Sequence, residues 1–131
     1  MIIPVFPVKD VEEALTYYTE VLGFTEDMRM PGPNGNLVNG RVHWADVQFM
    51  FNLNAEMADQ AAGAVWFWIY IDGMEIDAYY EELKAKGLTI VDPIKDQFWG
   101  DRSFTIKDKF GYFLVFTKEI DSEKKAQMYA V

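Results

Sequence analysis

An internal repeat constrains the fold of this chain more than any other feature of its sequence. The segment PVKDVEEALTYYTEVLGF in the first half aligns with YIDGMEIDAYYEELKAKGL in the second half after a shift of 63 or 64 residues. The alignment matches Val8 with Ile71 and Gly23 with Gly87. A repeat of this length is one supersecondary unit that buries its apolar face only with the help of a neighbouring copy. The sequence therefore predicts two similar modules that lie side by side.

Each copy of the repeat predicts a strand followed by an amphipathic helix. In the first copy Asp10 is a good N-cap, Gly23 ends the helix, and apolar residues recur between them at helical spacing: Val11, Ala14, Leu15, Tyr18 and Leu22. In the second copy the helix covers residues 74–86, with Ile76, Tyr79, Tyr80 and Leu83 facing inward. Further strands are predicted at 41–45, 47–53 and 88–92 and in the hairpin RSFTIKD–YFLVFTK, whereas 31–40, 54–63 and 93–101 are interpreted as loops or connectors.

These elements predict an α+β fold in a single domain of residues 1–131. Two βαβββ modules, residues 1–55 and 64–118, are expected to form a mixed curved sheet with the helices on its outer face. Residues 119–131 are charged, and we interpret them as a C-terminal tail that is either a frayed helix or disordered. Because Pro4 and Pro7 lack amide protons, the first strand should be an edge strand or have an unusual partner.

The segment VWFWIYI, residues 65–71, places large aromatic rings on the face of the sheet that the helices leave open. In a strand Trp66, Trp68 and Tyr70 point to one face, while the residues between them point to the other. Two interpretations follow. Either the rings fill a cleft or a dimer interface, or they form a wall that stacks on a flat or cationic ligand.

Composition and charge exclude several classes of partner. The formal net charge is −9, which repels phosphate backbones and anionic membrane surfaces, so we expect no nucleic-acid or membrane partner. The same charge attracts a cationic small molecule, although it also serves solubility. The chain contains no cysteine and no apolar run of membrane-spanning length, so a cytoplasmic protein without disulfides or a signal peptide is expected.

The end of the second module carries a motif that resembles a known family. The segment FWGDRSFTIKDKFGYFLVF is similar to the W-G-x-R-x-F-x-x-x-D-P-x-G-x-x-L-x-F segment of the vicinal oxygen chelate superfamily, the glyoxalase, bleomycin resistance and dioxygenase group. Lys109 departs from the motif, since proline is usual there. With VKDVEEALTYYTEVLGF and EELKAKG, the resemblance covers residues 3–117 and favours the bleomycin-resistance-like branch. It implies the βαβββ fold.

The resemblance also implies where a metal ion would lie, and this sequence has no ligands there. Metal-dependent members hold the ion on His or Glu at matching positions of the two halves. Those positions correspond here to Ile3, Trp66, Val115 and either Met50 or Phe51. Such side chains do not bind a hard or borderline divalent cation. We therefore expect no metal, no other cofactor and no catalytic residues, and the sequence favours a protein that is not an enzyme.

Ten residues are predicted to line the ligand site, from the aromatic stripe, the strand alternation and the matched family positions: Trp66, Trp68, Tyr70, His43, Phe51, Phe98, Trp99, Arg102, Phe113 and Val115. Among them, His43 is expected either to bond the ligand or to be a polar strand residue. Arg102 either lies near the cleft mouth or forms a loop salt bridge to Asp101 or Asp108.

The leading interpretation is a metal-free small-molecule binding protein that resembles the antibiotic-sequestering members of the superfamily. It would bind a planar, cationic ligand in the aromatic cleft and act as a homodimer, with the cleft at or near the subunit interface. One alternative is a metal-dependent glyoxalase-type lyase or isomerase, or a dioxygenase, with ligands from His43, Glu56, Asp59 or a partner chain. A second alternative is a structural or regulatory module whose cleft is filled.

Overall fold

The computed structural model describes residues 1–71 and 73–129, which fall into two compact units, Met1–Ala64 and Val65–Val131. The elements of the first unit are β1 (Val5–Val8), α1 (Val11–Thr16) with a following π-helical turn (Tyr17–Val21), β2 (Thr25–Pro31), β3 (Leu37–Trp44), β4 (Val47–Leu53) and α2 (Ala55–Ala61). Those of the second unit are β5 (Trp66–Tyr70), α3 (Ile76–Ala85), β6 (Thr89–Asp96), β7 (Asp101–Lys107), β8 (Phe113–Glu119) and α4 (Ser122–Tyr129).

Both units have the same topology. The strand order is β1-β4-β3-β2 in the first sheet and β5-β8-β7-β6 in the second. In each sheet the first strand pairs in parallel with the last strand, and the other pairings are antiparallel. The α+β fold with two βαβββ units is therefore confirmed. No helix in the described part of the chain is long and apolar enough to cross a membrane.

The first unit packs α1 against its sheet as the apolar spacing predicts. Asp10 caps the helix by accepting a hydrogen bond from the Glu13 amide at 3.0 Å. The apolar positions of the helix are all buried, and the Tyr18 ring lies 4.8 Å from that of Phe51. A Cβ on Gly40 would come within 2.9 Å of the Leu15 side chain, so this glycine lets β3 approach the helix closely.

The second unit repeats this arrangement with α3. Tyr79 and Tyr80 of α3 contact the buried ring of Phe104 on β7, at centroid distances of 6.2 and 5.0 Å. Tyr79 also meets Phe116 of β8 edge-on at 5.2 Å. Large apolar side chains on one face of the sheet thus form the core with the helix, which leaves the opposite face of the same strands for other uses.

Several local predictions were wrong. Residues 54–63 are not a featureless connector, because they contain α2, whose N-cap Asn54 accepts from the Met57 amide at 3.1 Å. The predicted loops 31–40 and 93–101 are shorter, since β3 begins at Leu37 and β6 continues to Asp96. For the tail from residue 119, predicted as either a frayed helix or disordered, the structure supports the helical alternative, because the tail contains α4. No strand was predicted between the first helix and residue 31, where β2 lies along the sheet edge with mostly exposed side chains.

Candidate functional site

The aromatic stripe of β5 lies on the face of the second sheet that points away from α3. Ile69 is buried and pairs with Phe116, a core residue that contacts α3. The alternate residues Trp66, Trp68 and Tyr70 therefore point to the other face, where 55%, 52% and 40% of their surface is exposed. This placement is the one that the period of two predicted.

The register of β5 against β8 adds two predicted residues to this face. Trp66 pairs with Phe113 and Trp68 pairs with Val115, and paired residues of adjacent parallel strands point to the same side. Trp66 and Phe113 stack at 4.4 Å with an interplanar angle of 18°, whereas Val115 is buried. We call the surface formed by Trp66, Trp68, Tyr70 and Phe113 the aromatic face.

A cavity of about 440 Å³ opens beside the aromatic face. Four aromatic residues line it: Trp68, Tyr70, Trp99 and Tyr129. The rings of Trp68 and Trp99 lie 6.0 Å apart at an angle of 52°, so they are tilted toward one another and not stacked. Phe98 contacts Trp99 edge-on at 4.9 Å and is largely exposed. The structure thus brings Trp68, Tyr70 and Trp99 together as predicted, and it adds Tyr129.

A buried ion pair lies behind two of these rings. The Asp101 carboxylate is fully buried and accepts hydrogen bonds from Trp99 Nε1 at 3.1 Å, the Tyr70 hydroxyl at 3.1 Å and Lys125 Nζ at 2.9 Å. Lys125 Nζ also donates to the Tyr70 hydroxyl at 2.7 Å. These bonds fix the orientation of Trp99 and Tyr70 before any ligand arrives, which lowers the entropic cost of binding.

The charge states of this network follow from its geometry. Burial disfavours the charged form of Lys125, but its hydrogen bonds to Tyr70 and Asp101 more than offset this, so the pKa of Lys125 is raised above its usual value. Burial also raises the pKa of Tyr70. At neutral pH the site therefore contains a charged lysine and a neutral tyrosine.

Lysines of the chain already contact two of the aromatic rings. Lys125 Nζ lies 4.1 Å from the centroid of the Tyr70 ring, and Lys107 Nζ lies 5.7 Å from that of Phe113. Across residues 1–71 and 73–129, no such cation lies over Trp68 or Trp99. Because a cation prefers an aromatic ring without a positive neighbour, Trp68 and Trp99 are the better positions for a cationic group.

Two predicted site residues belong to the first unit. His43 lies on the face of β3 opposite the buried Val42, and its Nδ1 lies 2.6 Å from Oδ1 of Asp27. It does not line the aromatic cavity. The placement of Phe51 was wrong: it is fully buried beside Phe6 and Tyr18 in the helix-side core. The alternative at this strand, Met50, takes the opposite face.

Arg102 was also misplaced. It alternates with Asp101 and Ser103 on β7, so it lies on the α3 side of the sheet. Its guanidinium donates to Asp77 of α3 at 2.6 Å and to Asp96 of β6 at 2.8 Å. The alternative of a salt bridge was right in kind, but neither Asp101 nor Asp108 is the partner. The hydrogen bonds from Arg102 hold the pKa of Asp77 below its usual value.

Comparison with known proteins identifies the family. The model of the Glyoxalase/Bleomycin resistance protein/Dioxygenase superfamily matches residues 3–116. The chain belongs to this superfamily. A similar relative is the uncharacterized protein Rv0887c of Mycobacterium tuberculosis (strain ATCC 25618 / H37Rv), which is 27% identical over 116 residues, 83% of this chain and 68% of that protein.

Solved structures of other proteins share the fold. TioX from Micromonospora sp. ML1 superposes with a TM-score of 0.74 at 21% identity, covering 93% of this chain and 98% of TioX. The bleomycin-binding protein of Streptomyces verticillus, solved with copper(II)-bleomycin, gives a TM-score of 0.66 at 23% identity and covers 89% and 93% of the two chains.

The side chains at the positions where the family resemblance implies a metal ion do not fit a divalent cation. Trp66 presents an indole ring, and Val115 and Ile3 are aliphatic. Met50 has only a soft thioether. Within the described ranges, no group of three or more His, Asp or Glu side chains is arranged to hold a metal ion.

Sequence reasoning missed Asp101, Lys125 and Tyr129. The last two lie in a charged segment without apolar periodicity, and Lys125 bonds to Tyr70, which is 55 positions earlier. The local sequence carries no signal of such a contact. Asp101 was considered only as a partner for Arg102, although its place in the strand puts it on the aromatic face.

Proposed function

We propose that this protein binds a planar aromatic small molecule in the aromatic cavity of its second unit. The observation that carries the proposal is the convergence of Trp68, Tyr70 and Trp99 on one cavity, with two of these rings fixed by Asp101. The cavity is open to solvent, and its volume of about 440 Å³ is enough to receive a small molecule on its aromatic side. A flat ligand stacked on the exposed surface of Trp68 or Trp99 would bury one of its faces against a large apolar surface and leave its edge for polar contacts.

A cationic ligand is favoured over an anionic one. The chain has a net charge of −9, and the two indole rings of the cavity are without a cation among the described residues. One positive group over such a ring contributes about 0.5–2 kcal/mol. The S. verticillus protein, which binds bleomycin, supports an antibiotic-like ligand by family analogy. We propose that binding here needs no metal ligand from the protein, because the family's metal positions hold apolar side chains.

We also propose that the protein is a homodimer that uses the edge strand β1. Ile2 and Val5, at or beside this edge, are exposed apolar residues. Sedimentation velocity over a range of concentrations should show a dimer for the wild type and a weakened dimer for Val5→Lys. Val91→Lys makes the same substitution at an exposed valine of another edge strand, β6, and should leave the dimer intact. A monomeric wild type would refute this part.

The binding test uses two tricyclic probes, 9-aminoacridine, which is cationic at neutral pH, and acridone, which is neutral. Each is titrated against the full chain and followed by its own fluorescence. Trp68→Ala should weaken binding at least about tenfold, equivalent to about 1.4 kcal/mol. Trp66→Ala is the matched variant, because this ring has the same strand, face and exposure but stacks on Phe113 and does not line the cavity. The loss of affinity in Trp66→Ala should stay below about threefold.

Two results would contradict the proposal. One is equal affinity in the wild type and Trp68→Ala. The other is failure of the wild type to bind either probe or bleomycin. Metal analysis of the purified protein provides a separate check, since stoichiometric zinc, nickel, manganese or iron would argue against binding without metal.

A further inference from the structure

We propose that helix α4 completes the ligand site, with Tyr129 as its fourth aromatic wall and Lys125 as the residue that positions the helix. This inference rests on the proposed function, because it assigns a role to the same cavity. It gives the charged C-terminal segment, which carries no family motif, a direct part in holding a planar aromatic ligand.

The start of α4 lies directly on the backbone of Gly100. The amides of Ile120 and Asp121 both donate to the Gly100 carbonyl, at 3.0 and 3.1 Å. A Cβ on Gly100 would lie 2.5 Å from the Asp121 carbonyl oxygen and 3.0 Å from the Lys125 amide nitrogen. Gly100 also has a φ of +94°, which favours glycine. The absence of a side chain at Gly100 therefore allows the first turn of α4 to pack directly against the backbone of this residue.

Lys125 is the side chain that holds the rest of the helix in place. Only 12% of its side chain is exposed, although every other residue of α4 is exposed and the helix buries no apolar residue. An eight-residue helix is marginal in water without packing. The position of α4 therefore depends on the bonds from Lys125 Nζ to Asp101 and Tyr70, at 2.9 and 2.7 Å.

The position of Lys125 determines the position of Tyr129. The two residues are four apart in the helix, so they lie on the same side of it. Lys125 contacts Tyr70, a residue of the cavity, and Tyr129 lines the same cavity one turn later. The Tyr129 ring is 68% exposed, so most of its surface is free to contact a ligand. A ring in this position should chiefly slow the departure of a bound molecule.

The first experiment measures dissociation of 9-aminoacridine from the full chain by stopped-flow fluorescence. Tyr129→Ala should raise the dissociation rate constant at least about fivefold, whereas Tyr129→Phe, which keeps the ring, should dissociate like the wild type. Met128→Ala is the matched control, because Met128 is a neighbouring exposed residue of α4 that does not line the cavity. Equal rate constants for Tyr129→Ala and the wild type would overturn the role of Tyr129.

The second experiment tests the positioning role of Lys125, first without a ligand and then with 9-aminoacridine bound. Hydrogen exchange measured by mass spectrometry should show faster exchange of the α4 amides in Lys125→Met, and the same variant should release 9-aminoacridine faster. Lys125→Arg, which keeps the charge, should restore part of both properties. Unchanged exchange in Lys125→Met would overturn this role. If Lys125→Met fails to fold, the exchange of the α4 amides and the release of 9-aminoacridine are measured in Gly100→Ala instead. The control is Gly87→Ala, because Gly87 has a similar φ of +81° but open space at its Cβ.

The outcomes separate this inference from the proposed function. If Trp68→Ala loses binding while Tyr129→Ala and Lys125→Met bind and release the probe like the wild type, the cavity binds ligands and only the role of α4 is refuted. If the wild type binds neither acridine probe nor bleomycin, both proposals fail together.

Discussion

Trp66 and Trp68 show how neighbours give different roles to residues that the strand pattern treats alike. Both indoles are about half exposed on the same face of β5. Trp66 stacks nearly parallel on Phe113, so one of its faces is already occupied. Trp68 meets Trp99 at an angle of 52° and lines the cavity with it, so part of the Trp68 surface faces open space. Strand alternation decides on which face of the sheet a side chain lies, but the ring that it contacts on a neighbouring element decides whether its surface is free for a ligand.

Tyr112 gives a residue-scale prediction about pH. It is buried after the β7–β8 turn, and its burial, together with the nearby Asp108, raises its pKa from 10.0 to about 12. The unfolded chain therefore loses this proton first, and the free energy of unfolding should fall as the pH rises from about 10 to 12. The loss should amount to about 1.4 kcal/mol for each pH unit by which the pKa is raised, and to less if the buried site relaxes.

Urea unfolding at a series of alkaline pH values, on the wild type and Tyr112→Phe, measures this effect. The variant should lose stability less steeply above about pH 10, and the two curves should run parallel below about pH 9, where the phenol is protonated in both states. An equally steep loss in Tyr112→Phe would show that burial of this hydroxyl is not the cause.

Phe51 and Arg102 were placed wrongly because each was assigned to the wrong face of its strand. On β4 the sequence left Met50 and Phe51 as alternatives, and a one-residue change of register moves a side chain to the opposite face. On β7 the family motif drew attention to Arg102, but strand alternation puts it beside α3 and puts Asp101 on the aromatic face. Residues with a long alternating pattern around them, such as Trp68, were placed correctly, since several neighbours fix their face at once.

At the scale of elements, helices with an apolar stripe were predictable, and elements without a stripe were not. α1 together with its π-helical turn buries four side chains on one face, and α3 also buries four. α2 has a cap but only one buried residue, Ala58. β2 has an alternation that is mostly polar and exposed, so no buried face marked it as a strand. The physical reason is that α2 is defined by its N-cap and β2 by its pairing with β3, and neither is defined by a hydrophobic pattern.

Asn54, the N-cap of α2, gives a testable prediction about the stability of this helix. Its side chain accepts a hydrogen bond from the Met57 amide, and its backbone amide donates to the Val8 carbonyl at 2.9 Å. Asn54→Ala removes only the side-chain cap and should lower the free energy of unfolding by about 1 kcal/mol. Asn54→Asp keeps an oxygen acceptor at this position and should remain close to the wild type.

Urea unfolding at neutral pH, with the slope of the transition held as a check on two-state behaviour, is the suitable measurement. If Asn54→Ala proved as stable as Asn54→Asp, the cap would not be what defines α2. The helix would then depend on contacts of Ala58, its one buried residue, with its surroundings.

At the scale of the whole molecule, the two units share one topology and differ on the face that points away from the helices. On the helix side both units use large apolar residues, such as Phe6 in the first and Phe116 in the second. On the other face the first strand of unit one carries Val5 and Pro7, while the corresponding strand of unit two carries Trp68 and Tyr70. The helix-side core preserves the fold, so the opposite face is free to acquire a binding function.

The net charge of −9 gives the last prediction, because it acts on a ligand before contact. A negative protein attracts a cation over distances comparable with the Debye length, which is about 30 Å at 0.01 M salt and about 10 Å at 0.1 M. The affinity for 9-aminoacridine should therefore fall several-fold between these ionic strengths. Acridone has nearly the same shape but no charge, and its affinity should hardly change.

The ratio of the two dissociation constants isolates the electrostatic contribution, since stacking in the cavity is common to both probes. A ratio that moves toward one with added salt supports long-range attraction by the acidic chain. A ratio that favours the cation but does not respond to salt would instead place the preference at short range, in direct contact with the faces of Trp68 and Trp99, where salt screens little. Tighter binding of acridone at every ionic strength would show that the positive charge of Lys125 outweighs the acidic residues at the site, and the proposed ligand would then be neutral.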